Sequence, residues 1–94
     1  MKSIKFRWYS EANEKMIYFD LNEGEGFDPK KDDIMQFTGL LDRNGKEIYE
    51  QDIIYFGKEY QNGIVEFKNG EFCTDTGERL QDINKENRVI GNIY

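Results

Sequence analysis

Ser3 to Tyr9 alternates polar and apolar side chains, with Ile4, Phe6 and Trp8 on one face and Lys5, Arg7 and Tyr9 on the other. That period of two is the pattern of a half-buried β-strand. Glu11-Ala12-Asn13-Glu14 predicts a turn and Met16 to Phe19 a returning strand, so residues 1–19 are expected to form an N-terminal hairpin. Periodicity then disappears across residues 20–33, which hold Gly24, Gly26 and the only proline, Pro29. This stretch predicts a loop, within which Asp28-Pro29 can open a short helical turn as N-cap and first helical residue.

Residues 34–94 predict a run of short strands. Ile34 to Leu41 forms the third, closed by Asp42-Arg43-Asn44-Gly45. A two-residue turn there would set Arg43 against Lys46, a like-charge pair. A three-residue turn with Gly45 in the left-handed bulge position sets Asp42 against Lys46 and Leu40 against Ile48, and is favoured. Glu50-Gln51-Asp52 leads into a strand over Ile53 to Phe56, with Asp52 placed to accept backbone N–H groups of the turn. Gly57 to Gly63 reads as a loop. Ile64 to Lys68, Asn69-Gly70 and Glu71 to Thr74 carry the strongest hairpin signal. A two-residue turn pairs Lys68 with Glu71 and Phe67 with Phe72, and both rings are expected to face the core. Leu80, Ile83 and Val89 to Ile93 supply the last short elements. Six or seven short strands with turns every 8–12 residues predict a mostly β chain: a small, partly open antiparallel barrel or strongly bent sheet, with at most a short helical turn.

With 94 residues the chain is expected to be one domain, residues 1–94. A chain this short buries only about 60–65% of its unfolded surface, so its core is thin. One Trp, six Tyr and seven Phe compensate, since each ring removes a large area from water. The net charge of −6 is uneven: residues 20–33 hold six acids against Lys30 and Lys31, so the acidic loop accounts for −4 of it. No segment approaches the length of apolar sequence that a membrane span needs, and the N-terminus lacks the apolar run of a signal peptide. Cys73 is the only cysteine, which leaves no intrachain disulfide and points to an inert thiol in a reducing cytoplasm.

The chemistry the chain lacks is as informative. It has no histidine, the commonest general base and metal ligand. A single cysteine builds no structural zinc site, and Ser3 and Ser10 have no imidazole partner. Asp20 to Asp28 begins like a calcium loop, but Gly24, Glu25 and Lys31 stand where an oxygen ligand, the glycine and the bidentate Glu belong. Gly24-Glu25-Gly26 is equally poor as a phosphate loop, with acids beside it and no third glycine. No catalytic residue, metal or cofactor is expected, and the chain is read as not an enzyme.

Lys5-Phe6-Arg7, the run from Ile34 through Gly39-Leu40 and Asp42-Arg43-Asn44-Gly45-Lys46-Glu47-Ile48-Tyr49-Glu50 into Asp52-Ile53-Ile54, and the closing Val89-Ile90-Gly91-Asn92-Ile93-Tyr94 together resemble the YopX family. Those are small proteins encoded in phages and prophages of Gram-positive bacteria. The resemblance implies a β-rich, SH3-like barrel and a phage setting, and carries over no catalytic residue. Gln51 stands where members usually have glycine, a departure that tells against a tight turn there.

Three functions are weighed. The first is a non-enzymatic phage accessory protein that binds another protein, with Gln36, Thr38, Tyr49 and Asp52 as candidate surface. The second is a nucleic-acid binder using the basic face of strand one, Lys2, Lys5 and Arg7 beside Tyr9; the overall charge disfavours it. The third is an acidic DNA-mimic decoy, for which −6 is sparse. A homo-oligomer is a further expectation. Ile53 to Phe56 and Val89 to Tyr94 carry no charge, and an uncharged strand at a sheet edge invites a partner.

Overall fold

The computed structural model describes residues 5–20, 34–56, 61–83 and 87–94. The acidic stretch 21–33, with its Asp28-Pro29 turn and its calcium- and phosphate-loop readings, lies outside them, as do Lys2 and Ile4.

Among these residues, eight strands and one helical turn follow in chain order. They are β1 (Lys5–Ser10), β2 (Lys15–Asp20), β3 (Met35–Leu41), β4 (Glu47–Tyr49), β5 (Asp52–Phe56), β6 (Gln61–Lys68), β7 (Glu71–Thr74), α1 (Leu80–Ile83) and β8 (Arg88–Asn92). They make two antiparallel four-stranded sheets, ordered β2-β1-β3-β4 and β7-β6-β5-β8, one of them a half-barrel. The predicted mostly β class and N-terminal hairpin are present. Among the boundaries that move, Asp20 ends β2 rather than opening the loop, and β6 begins at Gln61, three residues earlier than the sequence pattern placed it. Polar Asn62 and Gly63 hide that extension from a reading of apolar periodicity. Backbone pairing of Ile54 with Gly63 and Tyr55 with Asn62 makes it.

Each hairpin closes through local chemistry. Ser10 Oγ accepts from Asn13 N–H at 3.3 Å, holding the four-residue turn that sets Ser10 opposite Lys15. The turn after β3 has the expected register: Asp42 N–H donates to the Lys46 carbonyl at 2.8 Å, and Gly45 takes φ +82°. Leu41 then faces Glu47, but a bulge shifts the pairing before Phe37 meets Tyr49. At the β6–β7 turn Asn69 and Gly70 both have positive φ, +52° and +82°, the signature of a two-residue type I′ turn. Lys68 and Glu71 lie opposite each other as expected, yet their ion pairs go elsewhere, Lys68 to Glu66 and Glu71 to Arg79.

The central core is Ile48, Ile54, Phe56, Val65 and Leu80, with Leu40, Phe72, Ile83 and Val89 packed around it. Ile48 brings the first sheet to a cluster otherwise made by the second sheet and α1. Phe67 and Phe72 do pair, with centroids 4.8 Å apart, but only Phe72 reaches the core. Phe67 is 51% exposed, correcting the expectation that both rings point inward. Phe67 shares its face of β6 with buried Val65 but lies next to the Asn69-Gly70 turn, beyond the residues that form the core cluster.

Two glycine substitutions test this packing. Gly70→Val forces a β-branched residue into the left-handed region and should cost about 1 kcal/mol or more. A Cβ at Gly63 would sit 2.9 Å from Thr74 Cβ and 3.1 Å from Phe56 Cε1, so Gly63→Ala should cost roughly 1–3 kcal/mol through overpacking. Gly91, which has open space around its Cβ position and ordinary φ, serves as control. Gly91→Ala should shift the urea midpoint by no more than about 0.5 kcal/mol equivalent.

Candidate functional site

β1 departs from its predicted half-buried form, because both its faces are covered. Trp8 is buried on one side and Arg7 is 3% exposed on the other. The basic face expected of strand one is therefore dismantled. Arg7 donates through Nη2 to Asp52 Oδ1 at 2.8 Å and to the Glu50 carbonyl at 3.0 Å, and its guanidinium lies over the Tyr49 ring, 4.8 Å from the centroid. Lys5 is tied to Glu47 Oε2 at 2.6 Å, and Tyr9 stacks on Tyr94 at 5.0 Å. The strand was misread because alternation reports which side chains share a face, not whether a second sheet covers that face.

Asp52 occupies a corner. Its Oδ2 accepts Tyr49 N–H at 2.8 Å, the turn-capping role expected of it, while Oδ1 holds Arg7 from the other sheet. Between them Gln51 adopts φ +69°. The tight turn is thus made without glycine, and is fixed by Gln51 N–H to the Val65 carbonyl and by Ile93 N–H to the Gln51 carbonyl. Burial pushes the Asp52 carboxyl above its ordinary pKa, against the pull of the Tyr49 N–H and of Arg7. Burial, aided by Glu47, also raises Tyr49, so its hydroxyl stays neutral.

A cleft opens above this corner. A cavity of about 210 Å³ is lined by Arg7, Tyr49 and Asp52, by Tyr18, Lys46 and Glu47, and by Val89, Gly91 and Asn92 of β8. A second, of about 280 Å³, adjoins it and shares Tyr18, Glu47 and Tyr49. Tyr18 and Tyr49 meet edge to face at 5.4 Å. Of the four candidate surface residues, Tyr49 and Asp52 come together here. Thr38 lies apart on a different cavity beside Leu40 and Phe72, and its hydroxyl donates to the Ile48 carbonyl at 2.8 Å. Gln36 is held at its backbone, its N–H donating to Glu50 Oε1 at 2.7 Å.

Asp42 is a residue whose reach the sequence reading missed. One carboxylate oxygen accepts Asn44 and Lys46 N–H groups at 2.8 and 2.9 Å, closing its own turn. The other accepts Val89 N–H at 2.9 Å, and Arg43 N–H donates to the Asn87 carbonyl nearby. The β3–β4 turn thereby caps part of the outer edge of β8. Burial alone would raise the Asp42 pKa, but those three N–H groups outweigh it and hold the carboxyl below its ordinary value. The Asp-x-Asn-Gly spacing signalled the turn; nothing local signalled the bond to a strand 47 residues away.

A mostly β chain of two bent four-stranded sheets, locked by a buried Arg–Asp pair around a tyrosine-walled cleft, is the class of protein these features define. The profile of the YopX protein family matches residues 5–94, and the chain belongs to that family. No curated protein matches it. Among solved structures it is similar to protein EF1440 from Enterococcus faecalis, at 22% identity and a TM-score of 0.63, over 96% of this chain and 92% of that one. That likeness is one of fold.

Asp42→Asn should cost about 1–3 kcal/mol at neutral pH, because an amide cannot accept from all three N–H groups. The ionised Asp42 has its depressed pKa only when folded. Its contribution is therefore full above the unfolded value of 3.8 and lost as pH falls through the folded one. Urea titrations of wild type and variant should accordingly diverge at pH 7 and converge in acid. For the buried pair, Arg7→Met alone should cost roughly 3–5 kcal/mol by stranding Asp52, and Arg7→Met with Asp52→Leu should recover part of that loss.

Proposed function

We propose that this chain is a non-enzymatic, phage- or prophage-borne accessory protein that acts by binding another protein in the cytoplasm. The observation that carries this reading is the pairing of an aromatic cleft with exposed apolar side chains. Tyr18, Ile90, Ile93 and Tyr94 are each about half exposed or more, and Tyr18 forms a wall of the cleft. Tyrosine and apolar side chains beside internally satisfied charges are what the centre of a protein interface favours, with charged groups depleted. The family membership agrees with a phage setting but names no partner.

The nucleic-acid reading loses its support among the described residues. Arg7 is buried against Asp52, Lys5 is engaged by Glu47 and Tyr9 is stacked on Tyr94. The decoy reading rests on the acidic stretch, most of which lies outside the described residues. A second copy of the chain is one partner the exposed side chains suit. β5 does not invite it, being paired on both sides by β6 and β8.

Affinity capture of the tagged chain from an infected host, with and without nuclease, followed by mass spectrometry, tests the reading. One or a few proteins should co-purify at near-stoichiometric yield and survive nuclease treatment. Recovery of host nucleic acid alone would overturn the proposal. Light scattering across a tenfold dilution separates a second copy from a foreign partner, since a homo-oligomer exceeds the 11.2 kDa chain mass.

A further inference from the structure

Among the described residues each sheet ends in two edge strands: β2 and β4 in the first, β7 and β8 in the second. An edge strand offers unpaired N–H and C=O groups to any other strand, and proteins blunt such edges by shortness, bulges, charge or cover. Three of these four are blunted. β4 has three residues. β7 has four and is bridged from Cys73 to Arg79. β8 is interrupted by its bulge and held at Val89 by Asp42.

β2 has none of these devices. It runs for six residues in unbroken register with β1, from Ser10 opposite Lys15 to Lys5 opposite Asp20. Its middle residues, Met16-Ile17-Tyr18-Phe19, are all apolar, and no residue of the strand is buried. Tyr18 is 57% exposed. Beyond their pairing with β1, Lys15 to Tyr18 make no further backbone hydrogen bond among the described residues. The charges stand at the two ends, Lys15 at one and Asp20 at the other.

That charge pattern selects the occupant. A second copy of β2 laid antiparallel brings the cationic end of each strand beside the anionic end of the other. A parallel copy would set Lys15 against Lys15 and Asp20 against Asp20, which is destabilising. Asp20 is also engaged within its own chain, and the match is one of charge along the edge that requires no vacant group. Symmetry narrows the register. A two-fold axis normal to the sheet keeps every side chain on its own face, so it passes through a residue and not between two. Only axes at Ile17 or Tyr18 keep nearly the whole strand paired. An axis at Tyr18 sets Met16 against Asp20. An axis at Ile17 sets Ile17 opposite its own copy, Met16 opposite Tyr18 and Lys15 opposite Phe19, with no carboxylate against an apolar side chain. We propose that β2 is a self-association edge, by which two copies of this chain join antiparallel about an axis at Ile17 into one eight-stranded sheet. This goes beyond the protein-binding reading, and either can fail without the other.

Edge pairing of two short strands makes a small interface, below about 1,200 Å² in total, and such contacts dissociate on dilution. Sedimentation equilibrium of the full chain between about 1 µM and about 1 mM should give a mass that rises from the 11.2 kDa of one chain towards twice that value. Tyr18→Lys places a charge at an exposed position of the edge. It should keep the folded circular dichroism spectrum and weaken association roughly tenfold or more. Crosslinking reads the register. Ile17→Cys should oxidise to a disulfide-linked dimer several-fold faster than Tyr18→Cys, since only the Ile17 position meets its own copy. Wild type, whose Cys73 is buried, serves as the blank. A monomer at every concentration would overturn the proposal, as would association that Tyr18→Lys leaves unchanged, or crosslinking by Tyr18→Cys as fast as by Ile17→Cys. A monomer whose captured protein partner is lost on Tyr18→Lys would give the edge to a foreign strand instead. A dimer of the expected register that captures no foreign protein would leave this inference standing and sink the protein-binding reading.

Discussion

The ion pair between Arg7 and Asp52 is the constraint from which the rest of the architecture follows. It joins β1, inside the first sheet, to the first residue of β5, inside the second. The same carboxylate caps Tyr49 N–H, so one side chain fixes both the angle between the sheets and the corner by which the chain passes from one to the other. A buried pair of this kind contributes little net stability, because removing two charges from water costs about what their attraction returns. Burial raising the Asp52 pKa expresses that cost. What the pair contributes is specificity: any register that separates the partners strands a charge in the interior. Gln51 shows the constraint at work. A left-handed non-glycine residue costs about 1–2 kcal/mol, and it is held by the cap on one side and two backbone bonds on the other.

Asp42 is the complementary latch. Arg7 and Asp52 hold the sheets together through their interior, whereas Asp42 ties the β3–β4 turn to the outer edge of β8. An edge strand with few charges is an aggregation hazard unless something covers its free N–H groups. β8 is protected at Val89 by that carboxylate, and a bulge opposite Ile53 and Ile54 interrupts the regular edge. β7 is shielded in another way, by the bridge from Cys73 to Arg79. The two aspartates act differently on folding through pH. Asp42 favours the folded state when ionised, and the burial of Asp52 works against it.

The cleft is a by-product of these two ties. The sheets are pinned at a corner and at an edge, and between the two pins β2, β4 and β8 leave a space lined by tyrosine and by the ion pair. Its polar character is set by what the structural bonds consume. Asp52 divides its two oxygens between Arg7 and Tyr49 N–H, and Arg7 Nε is left without an acceptor among the described residues. The runs that resemble the YopX family, Lys5-Phe6-Arg7, Asp42 to Asp52 and Val89 to Tyr94, contain the residues that build the corner and the latch.

The sequence by itself determined the local elements. Alternation found β1, the turn and loop signals around them placed β2 and β3, Asn69-Gly70 marked the hairpin with its Phe67–Phe72 pairing, and the charges around Asp42 to Lys46 selected the correct turn, because neighbouring residues settle those choices through short-range sterics and hydrogen bonds. The YopX resemblance was equally legible, since it lies in contiguous runs of residues. What only the tertiary structure decided was which faces are covered. Lys5, Arg7 and Tyr9 read as a solvent face, yet a strand some 45 residues away in the chain supplies Asp52 and buries Arg7. Phe67 read as core and lies outside, because it sits beside the turn at the end of β6, beyond the cluster that its neighbour on that face, Val65, joins. A period of two assigns side chains to faces. The burial of a face, and with it the existence of the cleft, depends on how a second sheet is docked, and that is set by long-range bonds no local pattern encodes.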